Sequence, residues 1–360
     1  SGLNFQEGAD GNADDATIDS ITNTNNIVLN TGEDTIRVYL DITGIPSGEE
    51  TIKIGPLNDT SIVNSISNPL AITDTLLFTL KDKLPPTIDS ASVNNANDFI
   101  LFFASESLWT NPEHSQPLID QDFELGFTQN INMGGTVTGA SIDSLTKQEG
   151  GSLTGGENRI KIYLDLDFDP GDQFASGDEQ ILVKVTNGTS IYDRNGNPMD
   201  SGASTDSLTL YDKLPPGIDS LRIINSNEYA NLYFSEGIYN SSTAPLVPGD
   251  FGDIFSFNPD SGDHATIVSI SSLTKEDGVS ALTGGEKTIR IYLDVTDAPS
   301  GTESIGIEPQ DSSIKDLSNN YMDTGATITD LLNKEPWIKV NNSDKRIMNL
   351  DENNAFVEIV

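Results

Sequence analysis

The sequence predicts an all-β protein built of antiparallel β-sandwiches in tandem, and two observations support this prediction. The first is a segment in which one or two glycines precede a strand pattern, found at residues 30–41, 154–165 and 283–294. In its middle copy, apolar Ile160, Ile162 and Leu164 alternate with polar or amphipathic side chains. Period-two alternation after a glycine turn is typical of a half-buried strand. Three copies indicate a repeat protein.

The second observation is that each copy stands in the same series of short strand patterns, separated by turn residues. The corresponding patterns of the two complete repeats lie at 87–90 and 217–220, at 98–106 and 228–236, at 123–127 and 254–257, at 140–146 and 266–274, at the glycine-led segment, at 178–185 and 302–307, and at 204–211 and 327–332. About seven short strands in about 125 residues, without a helical period, favour an antiparallel sandwich.

A recurring Asp-Lys-Leu-Pro-Pro motif at residues 82–86 and 212–216, with a weaker copy at 333–337, predicts the domain boundaries. Consecutive prolines offer no N–H to a sheet and fix φ twice, which suits a stiff junction. We therefore expect a linear array with an incomplete domain at 1–82, complete domains at 83–212 and 213–333, and the first two strands of a further domain at 334–360.

The end segments are complementary, because residues 1–82 have no counterparts of the two opening strands and residues 334–360 have only those. Either the chain is cut from a longer array, or the tail of one chain completes the head of the next by strand complementation. In the second case the donor side chains would be Trp337, Ile338, Ala355, Val357 and Ile359. The pattern slightly favours a head-to-tail homopolymer.

The amino-acid composition limits the classes of partner that this chain can bind. The 56 acidic and 19 basic residues give a formal net charge of −37, which repels nucleic acid and anionic lipid head groups and attracts divalent cations. A solubility coat would look the same. There is no cysteine, so disulfides and thiolate chemistry are excluded. No apolar run reaches the roughly 20 residues of a membrane span, so we expect no membrane insertion in this segment.

The first candidate metal site is the turn at residues 193–200, where oxygen ligands alternate around a glycine as in a Ca²⁺ loop. Its candidate ligands are Asp193, Asn195, Asn197 and Asp200, and those of the corresponding turn are Asp316, Asn320 and Asp323. The alternative is a plain hairpin turn in which Asn-Gly provides positive φ and the methionine fills the core.

A second candidate is the acidic segment 165–172, with carboxylates at Asp165, Asp167, Asp169 and Asp172. Exposed like charges repel by a few tenths to about 1 kcal/mol per pair, and a bound Ca²⁺ would remove that cost. The alternative is a solvated acidic loop.

We expect no enzymatic activity. His114 and His264 have no partner motif, and no nucleophile elbow, phosphate loop or zinc spacing is present. Glu106 and Glu236 end the second strand of each complete repeat, but nothing predicts the cleft that glycoside cleavage would need. Trp109 could stack on a sugar, although strand aromatics more often belong to the core.

The repeat resembles the bacterial Ig-like domains that occur in tandem in large surface and adhesion proteins. The junction Asp-Lys-Leu-Pro-Pro-x-Ile-Asp-Ser, the strand end Phe234-Ser-Glu236 and the turn 193–200 carry the resemblance. It implies a bacterial, extracellular or cell-surface setting. In that setting we expect a structural role as a stalk, filament or adhesin segment, stiffened by Ca²⁺ if the acidic loops bind it. Partners would be other copies, surface glycans or other cells. The alternative is a non-catalytic, glycan-binding module of a secreted carbohydrate-active enzyme, since fold does not fix function.

Overall fold

A computed structural model describes the chain except residues 1, 10, 130–134, 225, 253–264, 266, 297–298, 326, 334–336, 341–342 and 347–360. The all-β prediction is confirmed: the described residues form antiparallel strands and short 3-10 turns, without an α-helix. They separate into two compact units, Ser1–Tyr211 and Asp212–Val360.

The unit Ser1–Tyr211 covers the predicted repeat 1–82 and all but the last residue of the predicted repeat 83–212. The strands of residues 1–82 are β1 (Leu3–Gln6), β2 (Ala13–Asn23), β3 (Ile36–Gly44), β4 (Thr51–Ile54) and β5 (Leu76–Thr79). Those that follow are β6 (Ile88–Val93), β7 (Phe99–Leu108), β8 (Phe123–Gln129), β9 (Val137–Lys147), β10 (Glu157–Phe168), β11 (Glu179–Val185) and β12 (Leu208–Thr209).

The unit Asp212–Val360 has nine described strands. Its strands are β13 (Ile218–Ile223), β14 (Tyr229–Asn240), β15 (Ile267–Lys275), β16 (Glu286–Thr296), β17 (Ser304–Ile307), β18 (Ile314–Lys315), β19 (Ile328–Leu331), β20 (Trp337–Val340) and β21 (Ser343–Arg346). Short 3-10 turns, Asp120–Asp122 and Pro248–Asp250, stand at corresponding places in the two units.

Two antiparallel sheets share one core in residues 83–212. One sheet has the strand order β6-β7-β10-β9 and the other has the order β12-β11-β8. Alternate residues of the strands, such as Ile100, Ile162 and Val183, are completely buried between them. Met199 is also buried, as expected for a methionine that fills the core. In the next unit, β13-β14-β16-β15 form the equivalent sheet and β17 pairs with β19.

The glycine-led turn has the geometry that the sequence predicts. Gly155 and Gly156 have φ values of +91° and +86°, which favour glycine. Close packing adds a second requirement, because a Cβ atom on Gly155 would lie 2.7 Å from the indole Nε1 of Trp109. Tyr239 covers the equivalent glycines of the next unit.

Each of the three repeats has a buried glutamate that links its two sheets. This role was not predicted from the sequence. Glu179 has no exposed surface, and its Oε1 accepts hydrogen bonds from the backbone N–H of Thr136 at 2.7 Å and of Val137 at 3.0 Å. Glu50 and Glu303 occupy the same place in the Ser-Gly-x-Glu motif and accept equivalent bonds. The carboxylate, at or just before the start of a strand in one sheet, therefore bonds to the backbone at or just before the start of a strand in the other.

Backbone donors determine the ionisation of these glutamates. Burial alone would raise the pKa of Glu50, but hydrogen bonds from Ala13, Ser47 and Asn12 hold it at about 2. In Glu179 burial is likewise outweighed by amide donors, and the pKa is lowered. A carboxylate with a depressed folded-state pKa stabilises the fold above its unfolded pKa of about 4.3 and loses that contribution as the pH falls through the folded value.

We predict that Glu179→Gln lowers the free energy of unfolding at pH 7 by about 1.5–3 kcal/mol, the usual contribution of hydrogen bonds to a charged group. The difference from the wild type should shrink as the pH falls from 4 towards 2. Chemical denaturation at both pH values measures it. Glu124→Gln, at an exposed glutamate, is the control and should change neither value. Equal stability of wild type and Glu179→Gln at pH 7 would contradict the assigned role.

Candidate metal centres

Each unit brings together three carboxylates from distant parts of the chain. The first group is Asp82, Glu106 and Asp193, and the second is Asp212, Glu236 and Asp316. In each group one carboxylate oxygen from every residue lies within 4.8 Å of the others, so either group could hold a metal ion. We refer to them as the Asp82 group and the Asp212 group.

The local structure explains how each side chain of the Asp82 group is positioned. Asp82 opens the Pro-Pro junction, and its Oδ1 accepts the N–H of Leu84 at 2.9 Å in a tight turn. Glu106 lies in β7 where the pairing with β10 shifts register between Phe103 and Leu108. Such a bulge turns a side chain away from the regular ladder, and bulges are frequent beside functional sites. The second unit has the same shift between Tyr233 and Ile238, around Glu236.

Asp193 is buried, and its two oxygens have separate tasks. Oδ1 accepts the N–H groups of Asn195 at 2.6 Å and of Asn197 at 2.8 Å, which closes the turn. Oδ2 accepts the side-chain amide of Asn197 at 2.6 Å. Amide donors also reach Asp82, from Asn195 to its Oδ2 at 2.8 Å and from Asn197 to its backbone oxygen at 3.3 Å. The turn is thereby attached to the junction.

The Asp212 group repeats this arrangement. Asp316 is buried, its Oδ1 accepts the N–H of Asn320 at 2.9 Å, and its Oδ2 accepts the Asn320 amide at 2.7 Å. The same amide contacts the backbone oxygen of Asp212 at 3.2 Å. A geometry built twice from corresponding residues is a property of the repeat and not of one loop.

Electrostatics in both groups favours either a proton or a cation. Burial raises the pKa of Glu106 to about 7, and the charges of Asp193 and Asp82 add to the effect. Burial, Asp316 and Asp212 raise the pKa of Glu236 to about 7, against a smaller opposing contribution from Lys287. Within the described residues, neither glutamate accepts a hydrogen bond and neither forms an ion pair. A divalent cation would offset both the burial and the repulsion that raise these pKa values.

The first repeat contains the same turn without the carboxylate. Asn64 occupies the position of Asp193, and its Oδ1 accepts the N–H groups of Ile66 and Asn68 at 3.1 and 2.9 Å. An amide oxygen is therefore sufficient to close the turn. The second carboxylate oxygen of Asp193 and Asp316 accepts a side-chain amide and no backbone N–H of the turn among the described residues, so it keeps a lone pair for a ligand.

Other predicted ligands lie outside both groups. Asp165 and Asp167 are part of β10, and Asp169 and Asp172 share the turn that follows it. Asp200 and Asp323 are exposed and accept the N–H groups of Gly202 and Gly325. Asn195, Asn197 and Asn320 border the groups as hydrogen-bond donors. Of the predicted ligands, the structure thus brings only Asp193 and Asp316 into a group of three carboxylates within the described residues.

The predicted donor and sugar-stacking residues are placed as follows. Trp337 and Ile338 belong to β20, which pairs with β21. Ala355, Val357 and Ile359 lie outside the described residues, as does His264. Trp109 is half-buried: the two glycines of the 154–156 turn contact its indole ring, and the His114 ring lies edge-on at 5.4 Å.

Comparisons with protein-family models, characterised proteins and solved structures find no match to this chain. None of the helices in the described part of the chain has the length and apolar character needed to cross a bilayer. The function of this chain must therefore be inferred from its own residues and geometry.

We predict that Glu106→Gln combined with Glu236→Gln stabilises the metal-free protein at pH 8. A glutamate whose folded-state pKa is raised loses stability as the pH rises from its unfolded pKa of about 4.3 to its folded pKa of about 7. Removing each charge should recover about 1–2 kcal/mol after solvent screening. Thermal melting in EDTA should show a gain at pH 8 that disappears below about pH 4.

The matched control is Glu113→Gln with Glu228→Gln, one exposed glutamate in each unit, which should leave the melting temperature unchanged at both pH values. A lower melting temperature for the Glu106/Glu236 variant at pH 8 in EDTA would show that the two carboxylates are stabilised by the fold and not strained by it.

Proposed function

We propose that the chain is a structural segment of an extracellular surface protein, a stalk, filament or adhesin, whose Ig-like repeats are stiffened by Ca²⁺ at their Pro-Pro junctions. The observation that carries the proposal is the repeated construction of one acidic group from a junction aspartate, a bulge glutamate and a turn aspartate. A solubility coat would spread its charges over the surface and would not place a buried aspartate in such a group twice.

The chemistry of the ligands favours Ca²⁺ over other cations. All candidate atoms are hard carboxylate oxygens, without the imidazole or thiolate ligands that transition metals prefer. Ca²⁺ binds oxygens at about 2.3–2.6 Å, so one ion can bridge ligands up to about 5 Å apart. The spacing within 4.8 Å meets that limit, whereas Mg²⁺ at about 2.0–2.1 Å would require closer approach.

A cation in the Asp82 group would fix the junction between the first two repeats. On both sides of Asp82 the backbone is hydrogen-bonded to the first repeat. The N–H of Leu80 donates to the backbone oxygen of Glu50 at 2.8 Å, and the N–H of Lys83 donates to the backbone oxygen of Pro46 at 2.7 Å. The other two carboxylates of the group belong to the second repeat. One ion would therefore link the junction to both, which is the mechanical property that a stalk requires. In the second unit an ion would tie Asp212 to the repeat that follows it.

We predict that millimolar Ca²⁺ raises the melting temperature above that in EDTA. A ligand at about 100 times its dissociation constant stabilises the native state by about 2.7 kcal/mol, which corresponds to about 5–10 °C for domains of this size. Asp193→Asn combined with Asp316→Asn keeps an oxygen that can accept the two backbone N–H groups of each turn, as Asn64 does, and should abolish the shift.

The matched control is Asp200→Asn combined with Asp323→Asn. These aspartates lie in the same two turns but outside the carboxylate groups, so the Ca²⁺ shift should persist. If the Asp200/Asp323 control lost the Ca²⁺ shift and the Asp193/Asp316 variant kept it, the ion would be bound by Asp200 and Asp323 and not by the carboxylate groups. No shift in the wild type would contradict the metal hypothesis altogether.

We predict further that Ca²⁺ narrows the distribution of distances between the first two repeats. The chain has no cysteine, so Thr24→Cys and Ser152→Cys would attach two fluorophores, one on an exposed loop of each repeat. Single-molecule energy transfer should show a broad distribution in EDTA and a narrow one in Ca²⁺, and Asp193→Asn should keep it broad. Labels at Ser152 and Ser201, both in the second repeat, should be insensitive to Ca²⁺. Equal widths in EDTA and Ca²⁺ would refute the stiffening role.

A further inference from the structure

The chain contains two Asn-Gly pairs, Asn187-Gly188 and Asn195-Gly196, and the structure gives them different surroundings. Asparagine is a thermolabile residue, because the backbone nitrogen of the following residue can attack its side-chain amide carbon. A following glycine favours this attack, since it has no Cβ to shield the nitrogen and its backbone is the least restricted. The hydrogen bonds around each pair therefore decide which of the two can react.

Asn187 lies in an exposed turn that activates its amide carbon. The side-chain oxygen Oδ1 accepts the N–H of Thr189 at 2.8 Å and the hydroxyl of Thr189 at 2.7 Å. Both donors withdraw electron density from the amide carbon and stabilise the negative charge that Oδ1 gains when a nucleophile adds. Asn187 and Thr189 are both exposed, so water reaches the turn.

The attacking group and the leaving group of this turn are not held by hydrogen bonds. Among the described residues, the N–H of Gly188 donates no hydrogen bond, and the side-chain Nδ2 of Asn187 donates none. The nitrogen of Gly188 can therefore lose its proton, and ammonia can leave Asn187, without breaking a contact of the fold.

Asn195 has the opposite surroundings. Its Nδ2 donates to Oδ2 of Asp82 at 2.8 Å, and the N–H of Gly196 donates to the backbone oxygen of Asp193 at 3.3 Å. Its Oδ1 accepts no hydrogen bond within the described structure. The carboxylates of Asp82 and Asp193 also oppose the negative charge that addition to the amide would create. The fold thus protects Asn195.

The backbone of the Asn187 turn does not require glycine at position 188. Gly188 does not have a positive φ, and a Cβ atom there would lie 3.4 Å from the Cβ of Ser201, an ordinary contact. The first repeat closes the same turn without glycine: Oδ1 of Asn58 accepts the N–H of Thr60 at 3.0 Å and its hydroxyl at 2.8 Å, and Asp59 stands between them. The reactive pair is therefore a feature of the second repeat and not a requirement of the turn.

We propose that Asn187 is a modification site, at which the chain converts its own asparagine into aspartate and isoaspartate. The nitrogen of Gly188 bonds to Cγ of Asn187, the Cγ–Nδ2 bond breaks, and the Gly188 proton leaves with ammonia. Water then opens the resulting succinimide ring. Cleavage of the new bond gives aspartate, and cleavage of the original peptide bond gives isoaspartate, whose backbone runs through Cγ. One water is consumed and one ammonia is released.

The products change both the charge and the length of the turn. Each adds one negative charge, and isoaspartate also adds one carbon atom to the main chain. The oxygen of Asn187 that accepts the N–H of Ser190 at 3.3 Å then belongs to a carboxylate beside the main chain. The completely buried Ile191 follows directly, so the isoaspartate form of the second repeat should melt at a lower temperature than the fresh protein.

The test is to incubate the full native chain in warm buffer at pH 8 and to analyse its proteolytic peptides by mass spectrometry. The peptide with Asn187 should gain the mass by which OH exceeds NH2, and an isoaspartyl methyltransferase should label part of the product. Asn58 and Asn195 should stay unmodified over the same period, whereas in denaturant Asn195 should react as well. An unchanged Asn187, or native-state conversion of Asn195 as fast as that of Asn187, would overturn the proposal.

Two variants test the chemistry of the turn. Gly188→Ala, which the structure accommodates, should leave no detectable product over the period in which the wild type reacts. Thr189→Val removes one donor to Oδ1 and should slow the reaction by about threefold to tenfold, the rate equivalent of one hydrogen bond. Thr189→Ser restores the hydroxyl and should restore the rate. If wild type and Thr189→Val reacted equally fast, the turn would not activate the amide and the assignment would fail.

Discussion

Repulsion between three carboxylates within 4.8 Å of one another is the constraint on which the account depends. Two ionised groups at that distance repel by about 3–4 kcal/mol at the effective dielectric constant of a protein surface, so all three cannot remain charged without compensation. In the metal-free fold, burial and this repulsion together raise the pKa values of Glu106 and Glu236 to about 7, so both side chains bind protons near neutral pH. The junction, the bulge and the turn nevertheless position these groups together in both units, an arrangement that becomes favourable once a cation is bound.

The same repeat uses one buried and one half-buried glutamate in opposite ways. Glu179 is surrounded by backbone N–H donors, and its pKa is lowered, so it strengthens the fold in its charged form. Glu106 has no such donors in the described structure, and burial, with a further contribution from two acidic neighbours, raises its pKa to about 7. A carboxylate that accepts hydrogen bonds from the backbone links the two sheets. A carboxylate without such donors, beside other acidic groups, is available to bind a cation.

Sequence reasoning could predict the strands because their information is local. The period-two pattern of residues 160–164, the glycines at 155 and 156 and the buried Met199 all behave as expected. It could not assemble the metal groups, because Asp82, Glu106 and Asp193 meet only after the bulge and the turn have formed. The acidic residues of the segment 165–172 predicted a metal site instead, but Asp165 and Asp167 lie in β10 and not in the turn that follows it. The usable signal was the recurrence of Asp82 and Glu106 as Asp212 and Glu236 at the same separation.

Calorimetric titration of the metal-free chain with Ca²⁺ at pH 7.5 tests the central claim most directly, because it counts ions and protons together. We predict that one ion binds to each of the two carboxylate groups, with proton release on binding that grows as the pH is lowered towards the pKa of about 7. Replacing Asp82 and Asp212 by asparagine should remove both ions. Binding that survives these replacements, or the absence of any binding, would contradict the assignment of the two groups as metal centres.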